Sequence, residues 1–160
     1  MNDSEWIWAM PQRSDQSNYY FGAPHSFADH YVTSYAATFF NTDFTSLFTR
    51  TDVRNMFLNA YRAPESSYRS RISRKWAFSF ASDHILMGSP EMMLIEAEGL
   101  ARTGNASGAS ALLFALQKNR DPFAVASGAT GSALIEEILL EKRKETYGDA
   151  PAVEWFDAKR

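Results

Sequence analysis

Three carboxylates stand where a helical wheel turns them toward apolar neighbours. Glu96 falls between Ile95/Gly99 and Leu100, at the edge of an apolar stripe, and Glu141 and Glu145 continue the face begun by Leu134 and Ile138. Like charges at i, i+4 repel by about a few tenths of a kcal/mol in water, and by more when partly buried. They require cations from elsewhere in the fold. Such acids can hold a metal ion or share acid–base work, or arginines can neutralise them and lock one element onto another. A helical two-metal site wants a Glu-x-x-His pairing. The histidines, His25, His30 and His84, all lie outside the helical segments that carry these acids. The architectural reading is the one carried forward, with Arg120, Arg143 or Arg160 as the expected partners.

Other chemical signatures are missing from the sequence. There is no Gly-x-Ser-x-Gly elbow, no phosphate-binding Gly-Lys-Ser/Thr loop, no dinucleotide fingerprint and no His-Glu-x-x-His zinc helix. Zero cysteines remove a disulfide framework, a thiolate zinc site and a thiol nucleophile. A pair of glycosidase carboxylates is invisible in sequence among 19 acidic residues, and nothing points to one. The reading is a binding protein, not an enzyme, with no catalytic residue, no metal and no cofactor.

Those carboxylates need helices to position them. From Ser89 onward the pattern supplies three. Ser89 as N-cap, Pro90 in the first turn, Glu91 against the positive helix end and a closing Gly104 predict a helix from about 90 to 103. Met93, Ala97, Leu100 and Ala101 share its stripe, with Glu98 and Arg102 as an outward i, i+4 pair. A second helix from about 106 to 119 carries Ala109, Leu112, Leu113 and Leu116 on one side, and Asp121-Pro122 ends it. The short link between the two demands antiparallel packing. Ala97 and Ala109, twelve residues apart, fall at the close-contact positions of a hairpin that resembles the tetratricopeptide (TPR) unit. A third helix runs from about 133 to 146, after the Ser127 to Ser132 linker, and Gly148 breaks it. One such hairpin cannot bury its own face and implies neighbours to stack on.

Residues 1 to 88 show little helical periodicity. Glu5 to Met10 and Lys75 to Phe80 read as brief strands, Trp76, Phe78 and Phe80 sharing one face, with turn-forming stretches between. Short helices are predicted around Ala28 to Phe40 and Thr51 to Leu58. Arg69, Arg71, Arg74 and Lys75, with Arg62 nearby, read as the solvated side of a hairpin. The fold class is mainly α: a TPR-like helical hairpin plus further helices, with a loop-rich amino-terminal part that carries short strands. Residues 1–88 form that loop-rich segment and 89–160 the helical portion, together one partial domain of a larger protein.

Composition bounds the partners. Apolar residues make up 45% and charged residues 22% of 160, enough for a real core, and the net charge is −3. That balance argues against the long-range field by which nucleic-acid binders gather polyanions. No apolar run approaches the ~18 residues a membrane span needs, and no leader opens the chain. With strand-like residues at one end and a patterned segment at the other, the chain reads as excised from a longer one. The aromatic share of 14% is high, and rings beyond the needs of the core can face a ligand.

Read together, the motifs resemble a family. Ser89-Pro90-Glu91-Met92-Met93-Leu94-Ile95-Glu96-Ala97-Glu98-Gly99-Leu100 and on to Gly104-Asn105, then Lys118-Asn119-Arg120, then Ile138 to Glu145, and last Trp155-Phe156-Asp157-Ala158-Lys159-Arg160 are similar in order to landmarks of the RagB/SusD outer-membrane nutrient-binding lipoproteins, in their carboxy-terminal portion. Glu5-Trp6-Ile7-Trp8, Asp52-Val53-Arg54 and Lys75-Trp76 are weaker matches upstream. Ser89 stands where an arginine is common, and the segment from Gly148 to Glu154 is longer than the usual link and lacks its arginine. The resemblance implies an oligosaccharide-binding component, surface-exposed on the outer membrane, that delivers glycan to a TonB-dependent transporter. It is held at the membrane only by a lipid anchor that this chain does not carry. Family members stack rings on sugar faces from irregular loops, so the resemblance makes Trp8, Tyr19, Tyr20, Phe21 and His25 the ligand-binding candidates. The competing reading is a TPR-type protein-binding scaffold.

Overall fold

The computed structural model describes residues 4–11, 13, 15, 39–59, 61–75, 84–148 and 157–159. The chain is mainly helical in its second half, with a few short strands in the first. In chain order the elements are β1 (Trp6–Met10), α1 (Thr42–Thr45), β2 (Phe57–Leu58), a 3-10 turn at Tyr68–Ser70, β3 (Ile72–Ser73), β4 (His84–Gly88), α2 (Ser89–Arg102), α3 (Ala106–Arg120) and α4 (Gly131–Thr146).

The three long helices form where periodicity and capping predict them. Gly88, not Ser89, is the N-cap of α2, because β4 runs directly into the helix and Ser89 is already its first residue. The Ser89 N–H donates to the Glu5 carbonyl at 2.8 Å. Gly104 follows the helix with φ +89, a left-handed conformation that glycine adopts without a Cβ penalty. Asn105 then caps α3, its side chain accepting from the Gly108 N–H at 3.0 Å.

The core of this bundle is Leu94, Ala97, Ala109, Leu113, Leu116, Leu134 and Ile138, with Met93, Leu100, Ala101 and Leu112 packed around it. Ala97 and Ala109 are both fully buried, as their spacing requires. Because α2 packs on both α3 and α4, its buried face centres on Leu94 and Ala97, rotated from the predicted stripe. The rotation reverses two assignments. Glu96 is exposed, not at a buried edge, and Glu98 is buried, accepting from Arg102 Nε at 2.8 Å.

A second, aromatic cluster sits beside the end of α4. Phe44, Phe48 and Tyr147 are buried, and Phe40, Leu47 and Phe57 pack against them. Their rings meet edge-on or tilted at 5.2 to 5.7 Å for most pairs, the geometry that the aromatic quadrupole favours. Arg143 lies over Phe44 at 5.0 Å and Lys144 over Phe48 at 5.4 Å, so cations from α4 seal the cluster.

The strands form two antiparallel pairs, β1 with β4 and β2 with β3. The expected helix over Thr51 to Leu58 is not there. Turns occupy most of 51–54 and the strand β2 follows, because Asp52 grips the backbone N–H and guanidinium of Arg54 two residues on, while Arg54 reaches Glu141 and Glu145 of α4. A one-turn helix, α1, forms instead just upstream, where Asn41 accepts from the Asp43 N–H. Of the expected helix over 28–40, residues 28–38 lie outside the described residues and Phe39 and Phe40 are not helical; the ring face of Trp76, Phe78 and Phe80 lies outside the described residues too. No helix among the described residues is long and apolar enough to cross a membrane.

The contact at Ala109 offers a direct test. Ala109→Leu should cost about 1–3 kcal/mol or more by overpacking the hairpin, read as a drop in the denaturant midpoint. Ala111→Leu, on the exposed side of the same helix, should leave that midpoint nearly unchanged.

Candidate functional site

The acids of α4 turn inward as their spacing predicts, and their main partner is an arginine from the loop segment. Arg54 donates to Asp52 through Nε at 3.0 Å and Nη2 at 2.8 Å, to Glu141 through Nη2 at 2.5 Å and to Glu145 through Nη1 at 2.7 Å. Its own backbone N–H also donates to Asp52, at 2.9 Å. A planar guanidinium is the one side chain able to satisfy three carboxylates in a fixed fork. Arg120, at the end of α3, bridges outward from the same cluster. It reaches Glu145 through Nη2 at 2.7 Å and the two oxygens of Glu5 through Nη1 and Nη2 at 3.0 and 2.9 Å. Lys144 adds contacts to Asp52 at 3.4 Å and Glu141 at 3.3 Å. Four carboxylates thus meet three cations across elements far apart in sequence.

The backbone supports this wiring. The Val53 N–H donates to the Arg120 carbonyl at 2.9 Å, satisfying an acceptor that the end of α3 would leave open. Lys75 Nζ donates to the carbonyls of Glu145 and Tyr147 at 2.9 and 3.0 Å and sits 4.5 Å from the Tyr147 ring centre. A cation at a helix C-terminus is favourable on dipole grounds. Lys75 is therefore not part of a solvated basic face. Arg71 pairs with Glu65, and Arg69 donates to its neighbour Tyr68. Asp121 accepts from the hydroxyls of Thr49 and Thr51, which pins the turn before Asp52 to the end of α3.

Burial opposes ionisation of Asp52, but the hydrogen bonds from Arg54 and the charges of Arg54 and Lys144 outweigh it and hold its carboxyl below the usual range. Glu145 behaves likewise: burial pushes its pKa up, and Arg120 and Arg54 together bring it below the ordinary value. Acids held ionised in this way are poor proton donors at neutral pH. Their role is to fasten α4 to the loop segment. Of the arginines expected from sequence, Arg120 is a partner. Arg143 is not, because it lies over Phe44, and Arg160 lies outside the described residues. Arg54 was missed. The signal for it was the Asp-x-Arg triplet, whose two-residue spacing lets the aspartate grip both the backbone N–H and the guanidinium.

Beside this network opens a cavity of about 260 Å³. Trp6, Val53, Met56 and Leu86 supply apolar wall, and Glu5, Arg120 and Glu145 supply polar wall. Among the described residues no group of three His, Cys, Asp or Glu side chains could hold a metal ion.

Of the sequence-predicted ligand residues, Trp8 lies on β1 and is 61% exposed. The ladder with β4 shifts register on either side of Trp8, so strict alternation fails and Ile7 and Trp8 both face outward. Such bulges re-aim side chains and gather near sites. Tyr19, Tyr20, Phe21 and His25 lie outside the described residues.

No protein-family model and no curated protein matches the chain. Solved structures do match. A SusD-like carbohydrate-binding protein from Bacteroides vulgatus ATCC 8482 superposes with a TM-score of 0.75 at 27% identity, over 91% of this chain and 32% of its own. A putative sugar-binding protein from the same strain gives 0.73 at 18% identity, with the same coverage. A SusD superfamily protein from Bacteroides fragilis NCTC 9343 gives 0.72 at 17% identity, over 99% of this chain and 40% of its own. The fold is therefore SusD-like, in agreement with the resemblance seen in the motifs. The chain spans about a third of the length of the first two proteins.

Acid should dissolve the network in a defined window. The unfolded chain titrates Asp52 and Glu145 near their ordinary values of 3.8 and 4.5, above the values in the folded state. The stabilisation is fully present above those ordinary values and is lost as pH falls through the folded ones. Denaturation midpoints measured from pH 7 downward should hold until about pH 5 and then fall steeply. Glu145→Gln should begin less stable and fall less steeply; an unchanged slope would contradict the assignment.

Proposed function

We propose that this chain is part of a glycan-binding component of an outer-membrane carbohydrate uptake system. In that reading it holds an oligosaccharide by aromatic rings and presents it to a TonB-dependent transporter. The whole protein would sit at the cell surface on a lipid anchor. The observation that carries the proposal is the SusD-like fold, shared at 27% identity with a protein described as carbohydrate binding.

Two physical features support it. Carboxylates of the helical half are tied to arginines and lysines, which leaves ligand capture to other groups. Trp8 presents a large ring to solvent on a bulged strand. Sugar faces carry apolar C–H groups and hydroxyl rims, so a flat ring with polar neighbours suits them. Residues 1–88 then supply the ligand-facing groups, Trp8, Tyr19, Tyr20, Phe21 and His25, and residues 89–160 the scaffold that holds them.

One observation favours the alternative, a TPR-type protein-binding scaffold. Phe123 and Val125, in the link between α3 and α4, are 74% and 84% exposed, and large apolar groups left to solvent can serve protein contacts. Retention of the transporter without retention on polysaccharide gels would select that reading.

Tyr19→Ala with Tyr20→Ala in the full protein should abolish oligosaccharide binding by calorimetry while the melting temperature is kept. Unchanged affinity would remove both tyrosines from the site.

A further inference from the structure

We infer that the cavity between β1, β4 and the Asp52–Arg54 turn is a subsite for a ring of a neutral saccharide, separate from the ring of Trp8. The inference rests on the sugar-binding reading above and gives it a second location. Three observations carry it.

The first is the wall. Trp6, Val53, Met56, Leu86 and Pro90 bring an aromatic ring and aliphatic groups to one concave surface. Val53, Met56 and Leu86 are 55%, 41% and 40% exposed, so apolar surface continues from the cavity onto its rim. A concave wall of this make-up, apolar with a few polar groups at its edge, is the ordinary lining of a small-molecule site.

The second is charge. Cations in the wall are matched to oxygens of the protein itself: Arg54 to Asp52, Glu141 and Glu145, Arg120 to Glu5 and Glu145, and Lys75 to the carbonyls that end α4. A phosphate or a sugar acid would have to compete with carboxylates already in place. An alkyl chain would strip water from the polar wall without replacing its hydrogen bonds. Neutral hydroxyls avoid both costs. Glu5, half-exposed and paired with Arg120, places carboxylate oxygens at the cavity wall, and carboxylate oxygens accept from hydroxyls.

The third is size. About 260 Å³ is below the ~300–1,000 Å³ of pockets that enclose drug-sized ligands. A space of that volume fits a small polar ring and not a long chain, so the end of an oligosaccharide would enter it. The ion pair between Arg120 and Glu5 bounds the cavity on the β1 side and fixes the strand that carries Trp6.

The test uses the full chain on an array of neutral oligosaccharides, with calorimetry on any that bind and with sodium glucuronate and inorganic phosphate as charged probes. Val53→Arg and Met56→Arg each add bulk at the exposed rim without touching either core cluster. Both should weaken neutral-oligosaccharide binding roughly tenfold or more at unchanged melting temperature, and Phe123→Arg, far along the chain on an exposed link, should not. Equal affinity in both rim variants would overturn the subsite and leave the sugar-binding reading standing. Binding of the charged probes alone would overturn the neutral-ligand assignment, and absence of any binding to the array by the unaltered chain would overturn both.

Discussion

Arg54 is among the most heavily bonded of the contacts that join the first half of this structure to its helices. Its guanidinium is buried among Asp52 from its own turn and Glu141 and Glu145 from α4. No one of these groups is at home away from water alone. A buried charge is tolerated when it is paired and fully hydrogen-bonded, and removing one partner of such a pair leaves the other uncompensated, at a cost of about 3–5 kcal/mol. Whether the intact network is worth more than a well-packed apolar substitute is a separate matter, and buried pairs often are not. What it supplies is register. Three carboxylates at fixed positions accept one planar fork in one orientation, so the turn at Asp52 can dock on α4 in only one way.

Much of the local order follows from that docking. The Val53 N–H meets the end of α3, Asp121 holds Thr49 and Thr51, and the Arg54 carbonyl faces the Tyr147 hydroxyl at 3.4 Å. The aromatic cluster then closes over the same turn, with Arg54 itself 5.9 Å from the Phe48 ring. Arg120 extends the network to Glu5 and so to β1. Strand β1 has only β4 as a partner among the described residues. A two-stranded ribbon is marginal by itself, and the Glu5 ion pair and the Ser89 N–H bond to the Glu5 carbonyl tie it to the helices. Strand β1, which bears Trp6 and Trp8, is thereby fastened to the helical half.

The helices were legible in the sequence because their signals are local. Pro90, Glu91 and Gly104 bracket one helix, and leucines at helical spacing identify the next two. Which face of α2 is buried was less legible, since a helix with neighbours on two sides has a wider buried arc than a single stripe reveals. That is why Glu96 and Glu98 exchanged roles. The inward turn of Glu141 and Glu145 was visible, and so was the need for arginine. The identity of the main arginine was not, because Arg54 lies 87 residues from Glu141 in the chain, and spacing carries no information over such a separation. The stretch over Thr51 to Leu58 had enough apolar residues to resemble a helix, but Asp52 and Arg54 draw it into turns through contacts made elsewhere. The cavity beside Trp6 had no sequence signal at all, since it exists only where stretches far apart in the chain meet.

The central claim is that Arg54 and the acids of α4 act as one unit. A double-mutant cycle on Arg54→Met and Glu141→Leu, read by chemical denaturation at neutral pH, tests it most directly. Each single change should destabilise the protein, and the double variant should lose clearly less than the sum of the two, with a coupling of about 1–3 kcal/mol. Strictly additive losses would show that the two side chains do not depend on one another, and would contradict the account.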